Sequence, residues 1–151
     1  ETHMKTIERE MKELIAADSN ICRNYKLLTS IKGVGPITAI VMLCSTLNFT
    51  KITDHRKFAC YCGLAPFEHS SGTSVRGGCH TSSMANRDIK VQLNRSALIA
   101  IRCDPQLKAY YERKVAEGKH KFSVLNAVRA KIAARCFAVV RRGTPYVALQ
   151  I

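Results

Sequence analysis

Two glycines that flank one valine, followed at once by a proline, interrupt the apolar pattern in the first third of the chain, at Gly33-Val34-Gly35-Pro36. Glycine adopts positive φ angles without steric cost, so this sequence permits a tight turn. Proline suits the first position of a helix, where its missing N–H would have no partner in the helix. We therefore predict two helices joined by a tight hairpin, the second of them running from Pro36 through Leu47.

The residues before this hairpin show an apolar spacing that alternates between three and four positions. The spaced positions are Met4, Ile7, Met11, Leu14, Asp18, Ile21, Tyr25 and Leu28. Such spacing is typical of a coiled-coil seam, in which a single polar residue such as Asp18 can fix the register. We predict a continuous coiled-coil-like helix over 5–30 that pairs with a second copy. The alternative is an amphipathic helix packed on its own domain.

Helical patterns with capping residues fill most of the remaining chain. Four further helices are predicted, over 54–62 with Asp54 as N-cap, from Asn86 to about Cys103, from Asp104-Pro105 to Gly118, and from Ser123 as N-cap to Arg142. Side chains of this kind accept hydrogen bonds from the first free amides of a helix. No segment alternates convincingly between apolar and polar residues, so we predict an all-α fold.

One long stretch, residues 67–83, does not fit a helix and is rich in serine, glycine and histidine. Loops of this length in a small domain are usually functional or disordered. The predicted organisation is a linker helix over 5–30, a helical domain over 31–145 that contains this loop, and a tail over 146–151. Residues 1–4 look like a remnant of cloning or the point at which a longer protein was cut.

The charge is strongly positive and unevenly distributed. The chain has 24 lysines and arginines against 11 acids, a net charge of +13. Residues 1–30 contain equal numbers of bases and acids, so the whole excess lies in residues 31–151. Such a surface favours binding of polyanions, of which nucleic acid is the first candidate and an anionic membrane the second. Because the longest apolar run, Ile37–Leu47, is too short to cross a bilayer, we predict no membrane partner.

Seven cysteines, an odd number, are scattered through the chain, and no signal peptide precedes them. A reduced, cytoplasmic protein is therefore expected. A zinc site built from Cys60, Cys62, Cys79 and His80 is an alternative, but the C-x-C spacing is not that of a zinc finger. We predict buried thiols and no metal site in this chain.

The hairpin resembles the helix-hairpin-helix element of many DNA-binding proteins. In that element, backbone amides at the start of the second helix face a phosphate, and here Lys32 adds positive charge. Contacts of this kind do not read the base sequence. The predicted nucleic-acid contacts in the hairpin are Lys32, Gly33, Val34, Gly35 and Thr38.

Three motifs follow one another in a fixed order. They are Leu-Leu-x-x-Ile-x-Gly-Val-Gly-Pro over 27–36, Lys-Phe-Ala-x-Tyr-x-Gly-Leu-Ala-Pro over 57–66, and Ser70-Ser71-Gly72. With the preceding helix and the helix that begins near Asn86, this order resembles the C-terminal half of the DEDD-type insertion-sequence transposases of the IS110/IS1111 group. That group includes bridge-RNA-guided recombinases and has the Piv-type DNA invertases as relatives.

The resemblance implies that two domains supply different parts of the catalytic machinery. A RuvC-like domain supplies four acids that bind Mg²⁺, and a helical segment leads to a second domain with a nucleophilic serine. That serine is implied to be Ser71, with Ser70 as the alternative. It attacks a DNA phosphodiester to leave a covalent serine–DNA link, and a structured RNA guides strand exchange. This chain shows no RuvC-like pattern, so we expect a fragment that binds nucleic acid and is inactive alone.

Several residues in and beyond the long loop suit this chemistry. Serine needs a base to become a good nucleophile, and His69 and His80 are candidates for accepting its proton. Arg76 and Arg87 can neutralise phosphate charge. The remaining predicted nucleic-acid contacts are Arg76, His80, Arg87, Arg95, Arg129, Lys131 and Arg135. We expect no cofactor in this chain, since its acids are scattered and Mg²⁺ is implied only for the absent RuvC-like domain.

Three functions remain open from the sequence. The first is the serine-bearing, DNA-binding domain of a transposase. The second is a non-enzymatic helix-hairpin-helix module of a repair or recombination factor. The third is a purely structural interaction domain, which predicts no salt-dependent affinity for duplex DNA. The first two predict duplex DNA as a partner and a cytoplasmic, DNA-associated protein, whereas a structured guide RNA follows only from the first. A second copy of the chain is expected to bind through the N-terminal helix.

Overall fold

Seven helices and one short pair of strands form the part of the chain that the computed structural model describes, residues 2–65, 70–71, 75–76 and 85–148. In chain order the elements are α1 (Thr2–Ala17), α2 (Ser19–Thr29), α3 (Pro36–Thr46), α4 (His55–Tyr61), β1 (Ser70–Ser71), β2 (Val75–Arg76), α5 (Arg87–Cys103), α6 (Pro105–Ala116) and α7 (Lys121–Arg142). The predicted all-α fold is confirmed. The antiparallel β1–β2 pair, inside the segment predicted to be an irregular loop, is too short to change that class.

The predicted continuous helix over 5–30 is wrong at its polar position. Asp18 has extended backbone angles, φ −112° and ψ 118°, and separates α1 from α2. Its carboxylate accepts hydrogen bonds from the amides of Asn20 (2.8 Å) and Ile21 (3.0 Å). A carboxylate next to free amides forms a strong N-cap, so Asp18 starts a new helix instead of occupying a seam. α2 then packs against α3 and α7 as part of the helical body.

α1 is amphipathic, and three of its apolar residues, Met11, Leu14 and Ile15, line an apolar groove of about 450 Å³ whose other side includes Ile40 and Leu43 of α3. Met11 and Ile15 are half-buried there, whereas Leu14 remains 72% exposed. Met4 does not line this groove and is 70% exposed. The alternative of a helix packed on its own domain therefore describes part of α1, and pairing with a second copy stays a prediction.

The hairpin between α2 and α3 has the expected shape, with one glycine in the left-handed region. Gly33 has φ +92°, whereas Gly35 has φ −87° and ψ 176°, a conformation open to any residue. Pro36 is the first residue of α3, as predicted. α3 ends at Thr46, because Leu47 already adopts left-handed angles as the C-cap.

The core lies where α5 and α7 pack against each other and against α2, α3, α4 and α6. Its fully buried large side chains include Leu28, Met42, Phe58, Leu93, Leu107, Val128 and Ile132. Phe137 of α7 contacts two other rings, Phe49 at a centroid distance of 4.9 Å and Phe58 at 5.4 Å. These contacts attach the α3–α4 connection and α4 to α7.

Capping residues set the starts of the later helices. Asp54, Asn86 and Asp104 each accept hydrogen bonds from amides of the following turn, as predicted. Ser123 is not a cap, because α7 begins two residues earlier, at Lys121. His120 is extended, and its Nδ1 atom accepts a hydrogen bond from the amide of Phe122 at 3.3 Å. Its ring also stacks on that of Phe122.

Among the described cysteines, Cys62 and Cys136 are fully buried, as predicted, whereas the prediction of buried thiols is wrong for Cys44, Cys60 and Cys103, which are exposed. Burial raises the pKa of the Cys62 thiol to about 11 and that of Cys136 to about 12, so both are protonated at neutral pH. Cys60 is exposed, and Cys79 and His80 lie outside the described residues. No three His, Cys, Asp or Glu side chains converge within the described ranges. In the same ranges, no helix is long and apolar enough to span a membrane.

A buried ion pair joins α7 to the junction of α5 and α6. Arg135 donates from Nη1 to Oδ2 of Asp104 at 2.7 Å, and only 1% of the Asp104 side chain is exposed. Arg135 also donates to Gln106, and its guanidinium lies 4.8 Å from the centre of the Tyr146 ring. The amide of Tyr146 in turn donates to Ser30 Oγ at 2.8 Å. The pair therefore connects α7, the α6 N-terminus and the base of the hairpin.

Gly33→Ala is expected to destabilise the fold by about 2–4 kcal/mol. The added Cβ would strain a positive φ and would lie 2.7 Å from both the Ala100 Cβ and the Ser96 carbonyl oxygen on α5. Urea unfolding measures the change. Gly35→Ala is the matched control, since its Cβ would meet nothing within 4 Å. Equal losses for the two variants would contradict this account of the hairpin.

Arg135→Met is expected to cost about 3 kcal/mol of unfolding free energy, because it leaves the buried Asp104 carboxylate without its counter-charge. Lys131→Met, one turn earlier on α7, is the control. Lys131 is exposed and lies 4.5 Å from the centre of the Tyr110 ring, a contact worth under about 1 kcal/mol. Urea midpoints that fall equally for both variants would show that the ion pair does not stabilise the fold.

Candidate nucleic-acid interface

The hairpin is fixed to α5 by two contacts. The backbone of Gly33 lies against Ser96 and Ala100 with no room for a side chain. Three residues into α3, the Thr38 and Ser96 hydroxyls form a buried hydrogen bond at 2.9 Å. The hairpin is therefore held at a defined position on α5 and needs no ligand to shape it.

The predicted hairpin contacts differ in how far they reach the surface. Val34 and Thr38 are buried, and the Thr38 hydroxyl is paired with Ser96. Lys32 is exposed, and Gly33 and Gly35 are half-buried. For Val34 and Thr38, only backbone groups are therefore plausible contacts with a ligand.

The start of α3 offers backbone amides to an anion. The amide of Ala39 bonds to the carbonyl of Gly35 at 3.0 Å, which is the first bond of the helix. Ile37 and Thr38 precede it, and amides in the first turn of an α-helix have no acceptor within the helix. Together with the exposed Lys32 ammonium group, these amides make the hairpin electropositive.

The segment between α4 and α5 contains Ser70 and Ser71 and is called the serine segment below. Hydrogen bonds hold both of its ends. At its start, Asn126 of α7 donates from Nδ2 to the carbonyl of Leu64 at 2.8 Å. At its end, the amide of Asn86 donates to the carbonyl of Tyr61 at 3.0 Å. Within it, the β-pairing places Ser70 opposite Arg76 and Ser71 opposite Val75. Both ends of the segment therefore lie beside α4, α5 and α7.

Some predicted site residues of this segment fall outside the described residues. His69 and His80 are among them, so their role as proton acceptors stays a prediction. For Ser70, Ser71 and Arg76 the structure gives the backbone pairing. The choice between Ser70 and Ser71 as nucleophile therefore rests on the sequence motif.

A cationic groove of about 390 Å³ lies between α5 and α7, next to the end of this segment. Arg87, Lys90, Val91 and Asn94 of α5 line it together with Arg129 of α7. The Asn94 side-chain oxygen accepts from Nε (3.1 Å) and Nη2 (2.6 Å) of Arg129. Burial lowers the pKa of the Arg129 guanidinium below its usual value, although arginine stays charged in proteins.

Sequence reasoning predicted Arg87 and Arg129 but missed Lys90, Asn94 and Asn126. Arg87, Lys90 and Asn94 follow one another at spacings of three and four, which places them on one helix face. That signal was available from the sequence. Asn126 precedes Arg129 by three residues on α7, so helical spacing alone brings these two side chains together. The pairing of Asn94 with Arg129 depends on the contact between α5 and α7, which the sequence does not reveal.

The other predicted cations are not gathered at this groove. Arg95 is exposed on α5 and does not line it. Lys131 borders a separate groove of about 530 Å³ between α6 and α7, where it contacts the Tyr110 ring. Arg135 borders that groove too, but its guanidinium is paired with Asp104 and Gln106. Contacts of these three residues with nucleic acid stay predictions.

Known proteins similar to this chain point to one family. Residues 25–112, from α2 into α6, match the family described as Transposase IS116/IS110/IS902. The Insertion element IS110 uncharacterized 43.6 kDa protein of Streptomyces coelicolor is 39% identical over 121 residues, which are 80% of this chain and 29% of that protein.

More distant relatives agree. The Pilin gene-inverting protein of Moraxella bovis is 23% identical over 93% of this chain and 44% of its own length. The Probable family 20 transposase of Pseudomonas aeruginosa is 28% identical over 68% of this chain and 29% of its own length. This chain thus spans less than half of the length of these relatives. Because the family match covers more than half of the chain, including the hairpin, the serine segment and α5, the chain belongs to the Transposase IS116/IS110/IS902 family.

Proposed function

We propose that this chain is the DNA-binding part of a transposase and supplies the serine nucleophile that cuts and exchanges DNA strands. Ser71 is the proposed nucleophile, with Ser70 as the alternative. The observation that supports this most is that both ends of the serine segment are fixed by hydrogen bonds, from Asn126 to Leu64 and from Asn86 to Tyr61. Basic side chains of α5 and α7 lie next to these ends. The two ends of the segment that carries the nucleophile would then lie beside the charges that stabilise its target.

The proposed reaction is attack of the serine oxygen on a DNA phosphorus atom. A bond forms between the serine oxygen and phosphorus, and the bond from phosphorus to one sugar oxygen breaks. The serine proton passes to a base, for which His69 and His80 are the candidates in the sequence, and the released sugar oxygen takes up a proton. Reversal of these steps with another strand end rejoins the DNA.

Magnesium is proposed to bind outside this chain. No cluster of acids, histidines or cysteines in the described ranges suits a metal. Residues 31–151 contain only six acids, scattered along the chain. The relatives are more than twice as long, which leaves room for the RuvC-like domain that the sequence resemblance implies. Metal ions held there would stabilise charge on the phosphate.

The proposed partners are duplex DNA, a structured guide RNA and a second copy of the chain. The net charge of +13 and the electropositive hairpin support binding of a nucleic-acid backbone. Such contacts do not depend on base sequence, which suits a recombinase whose target is read by base pairing with RNA. The exposed residues Met4 and Leu14 of α1 support pairing with a second copy.

Ser71→Ala in the full-length protein is expected to reduce transposition by at least about 1000-fold, because it removes the hydroxyl that is proposed to form the covalent link. DNA affinity is expected to be unchanged. Ser70→Ala is the matched control and should retain most of the activity. Transposition that persists in Ser71→Ala, with Ser70→Ala inactive, would move the nucleophile to Ser70. Persistence in the double variant would favour a non-enzymatic DNA-binding module.

Binding of this chain to a duplex of about 20 base pairs is expected to weaken about 1000-fold or more between 50 and 200 mM salt. Six or more phosphate contacts give a loss of that size through counterion release. Fluorescence anisotropy of a labelled duplex measures it. An affinity that does not change with salt would contradict nucleic-acid binding and indicate a protein-interaction domain.

A further inference from the structure

We propose that the groove between α5 and α7 binds one backbone phosphate of the nucleic-acid strand presented to the serine segment. Arg87, Lys90 and Arg129 would supply its charge, and Asn94 and Asn126 would act as positioning residues that orient the Arg129 guanidinium. This proposal rests on the proposed function and adds to it a specific phosphate site.

The Arg129 guanidinium is fixed by neutral partners. Asn94 Oδ1 accepts from two of its nitrogens, Nε and Nη2, and Asn126 Oδ1 accepts from Nη1 at 3.4 Å. A guanidinium has five N–H donors in a planar fork, so these three bonds leave two donors for a ligand. Two donors of a held guanidinium match the oxygens of a phosphate.

The charge of Arg129 has no counter-charge in the described part of the chain, where no carboxylate lies within 4 Å of its guanidinium. Arg135, on the same helix, differs in this respect, because its Nη1 atom lies 2.7 Å from Oδ2 of the Asp104 carboxylate. A half-buried charge without a counter-ion loses hydration and gains no ion pair in return. Folding alone does not explain such an arrangement, whereas an incoming anion would compensate it.

Arg87 and Lys90 add two further charges on the same wall of the groove. Their spacing of three residues places them on one face of α5, with Asn94 a turn further along. Three cations around a single groove would attract a phosphate diester at moderate salt, and each would release counterions from the nucleic acid.

The groove is connected to the serine segment through Asn126. Its amide nitrogen holds the Leu64 carbonyl, and its amide oxygen holds Arg129. At the other end of the segment, Asn86 bonds to Tyr61 and directly precedes Arg87, the first residue of α5. One asparagine therefore links the phosphate-binding cation to the start of the segment that contains Ser70 and Ser71.

Arg129→Gln tests the site through its salt dependence. The slope of log affinity against log salt for a duplex of about 20 base pairs is expected to fall by about one, the contribution of one phosphate contact. Arg102→Gln is the matched control, exposed on the last turn of α5 about 22 Å along the helix axis from Arg87. Its slope should equal that of the unaltered chain.

Asn94→Ala tests the positioning role by a double-mutant cycle. Alone it should weaken binding about three- to tenfold. Combined with Arg129→Gln it should cost nothing more, because the side chain that it positions is already gone. Asn94→Asp keeps the shape but places a carboxylate on Arg129. It should lower affinity as Arg129→Gln does while the unfolding midpoint stays at or above that of the unaltered chain.

Three outcomes would overturn the proposal. They are an unchanged salt slope in Arg129→Gln, an Asn94→Ala loss that adds fully to that of Arg129→Gln, and an Asn94→Asp chain that is folded and binds normally. These binding experiments do not depend on the serine. If Ser71→Ala proved active while Arg129→Gln lost a phosphate contact, the groove would stand and the nucleophile assignment would fail. No salt-dependent binding by the unaltered chain would contradict both.

Discussion

The close approach of the hairpin to α5 is the constraint on which the rest of the arrangement depends. Gly33 lies so near Ser96 and Ala100 that any side chain would collide with the backbone of α5. The same helix receives the Thr38 hydroxyl on Ser96, begins directly after the serine segment, and forms one wall of the cationic groove. An electropositive hairpin and a cationic groove are thus held by one helix at fixed relative positions.

Two arginines on α7 show how burial and pairing divide positive charge between stability and binding. Arg135 is neutralised by Asp104 and connects α7 to the base of the hairpin through Tyr146 and Ser30. Arg129, held only by asparagine amides in the described part of the chain, keeps an uncompensated charge. Both arginines belong to a helix rich in bases, and both were predicted from the sequence to contact nucleic acid. Their different roles follow from their different neighbours in the fold, a carboxylate for Arg135 and asparagine amides for Arg129.

Local chemistry made much of the fold predictable, including the caps at Asp54 and Asn86 and the hairpin at Gly33. Sequence failed where two local signals competed. Asp18 fits a coiled-coil register and can also cap a helix. It caps α2 in the structure, because its carboxylate accepts hydrogen bonds from the free amides at the start of that helix. Similarly, His120 is the N-cap of α7 in place of the predicted Ser123, because its side chain accepts a hydrogen bond from the amide of Phe122. The spacing of Asn94 places it on the helix face of Arg87 and Lys90, but its bonds to Arg129 form only where α5 packs against α7.

The central claim is that a serine of this chain becomes covalently joined to DNA. The most direct measurement is mass spectrometry of the full-length protein trapped during reaction with its DNA and digested with nuclease and protease. The account predicts a nucleotide adduct on the peptide containing Ser70 and Ser71, with fragmentation placing the added mass on Ser71. DNA cut without an adduct on that peptide, or an adduct on a residue elsewhere, would contradict it.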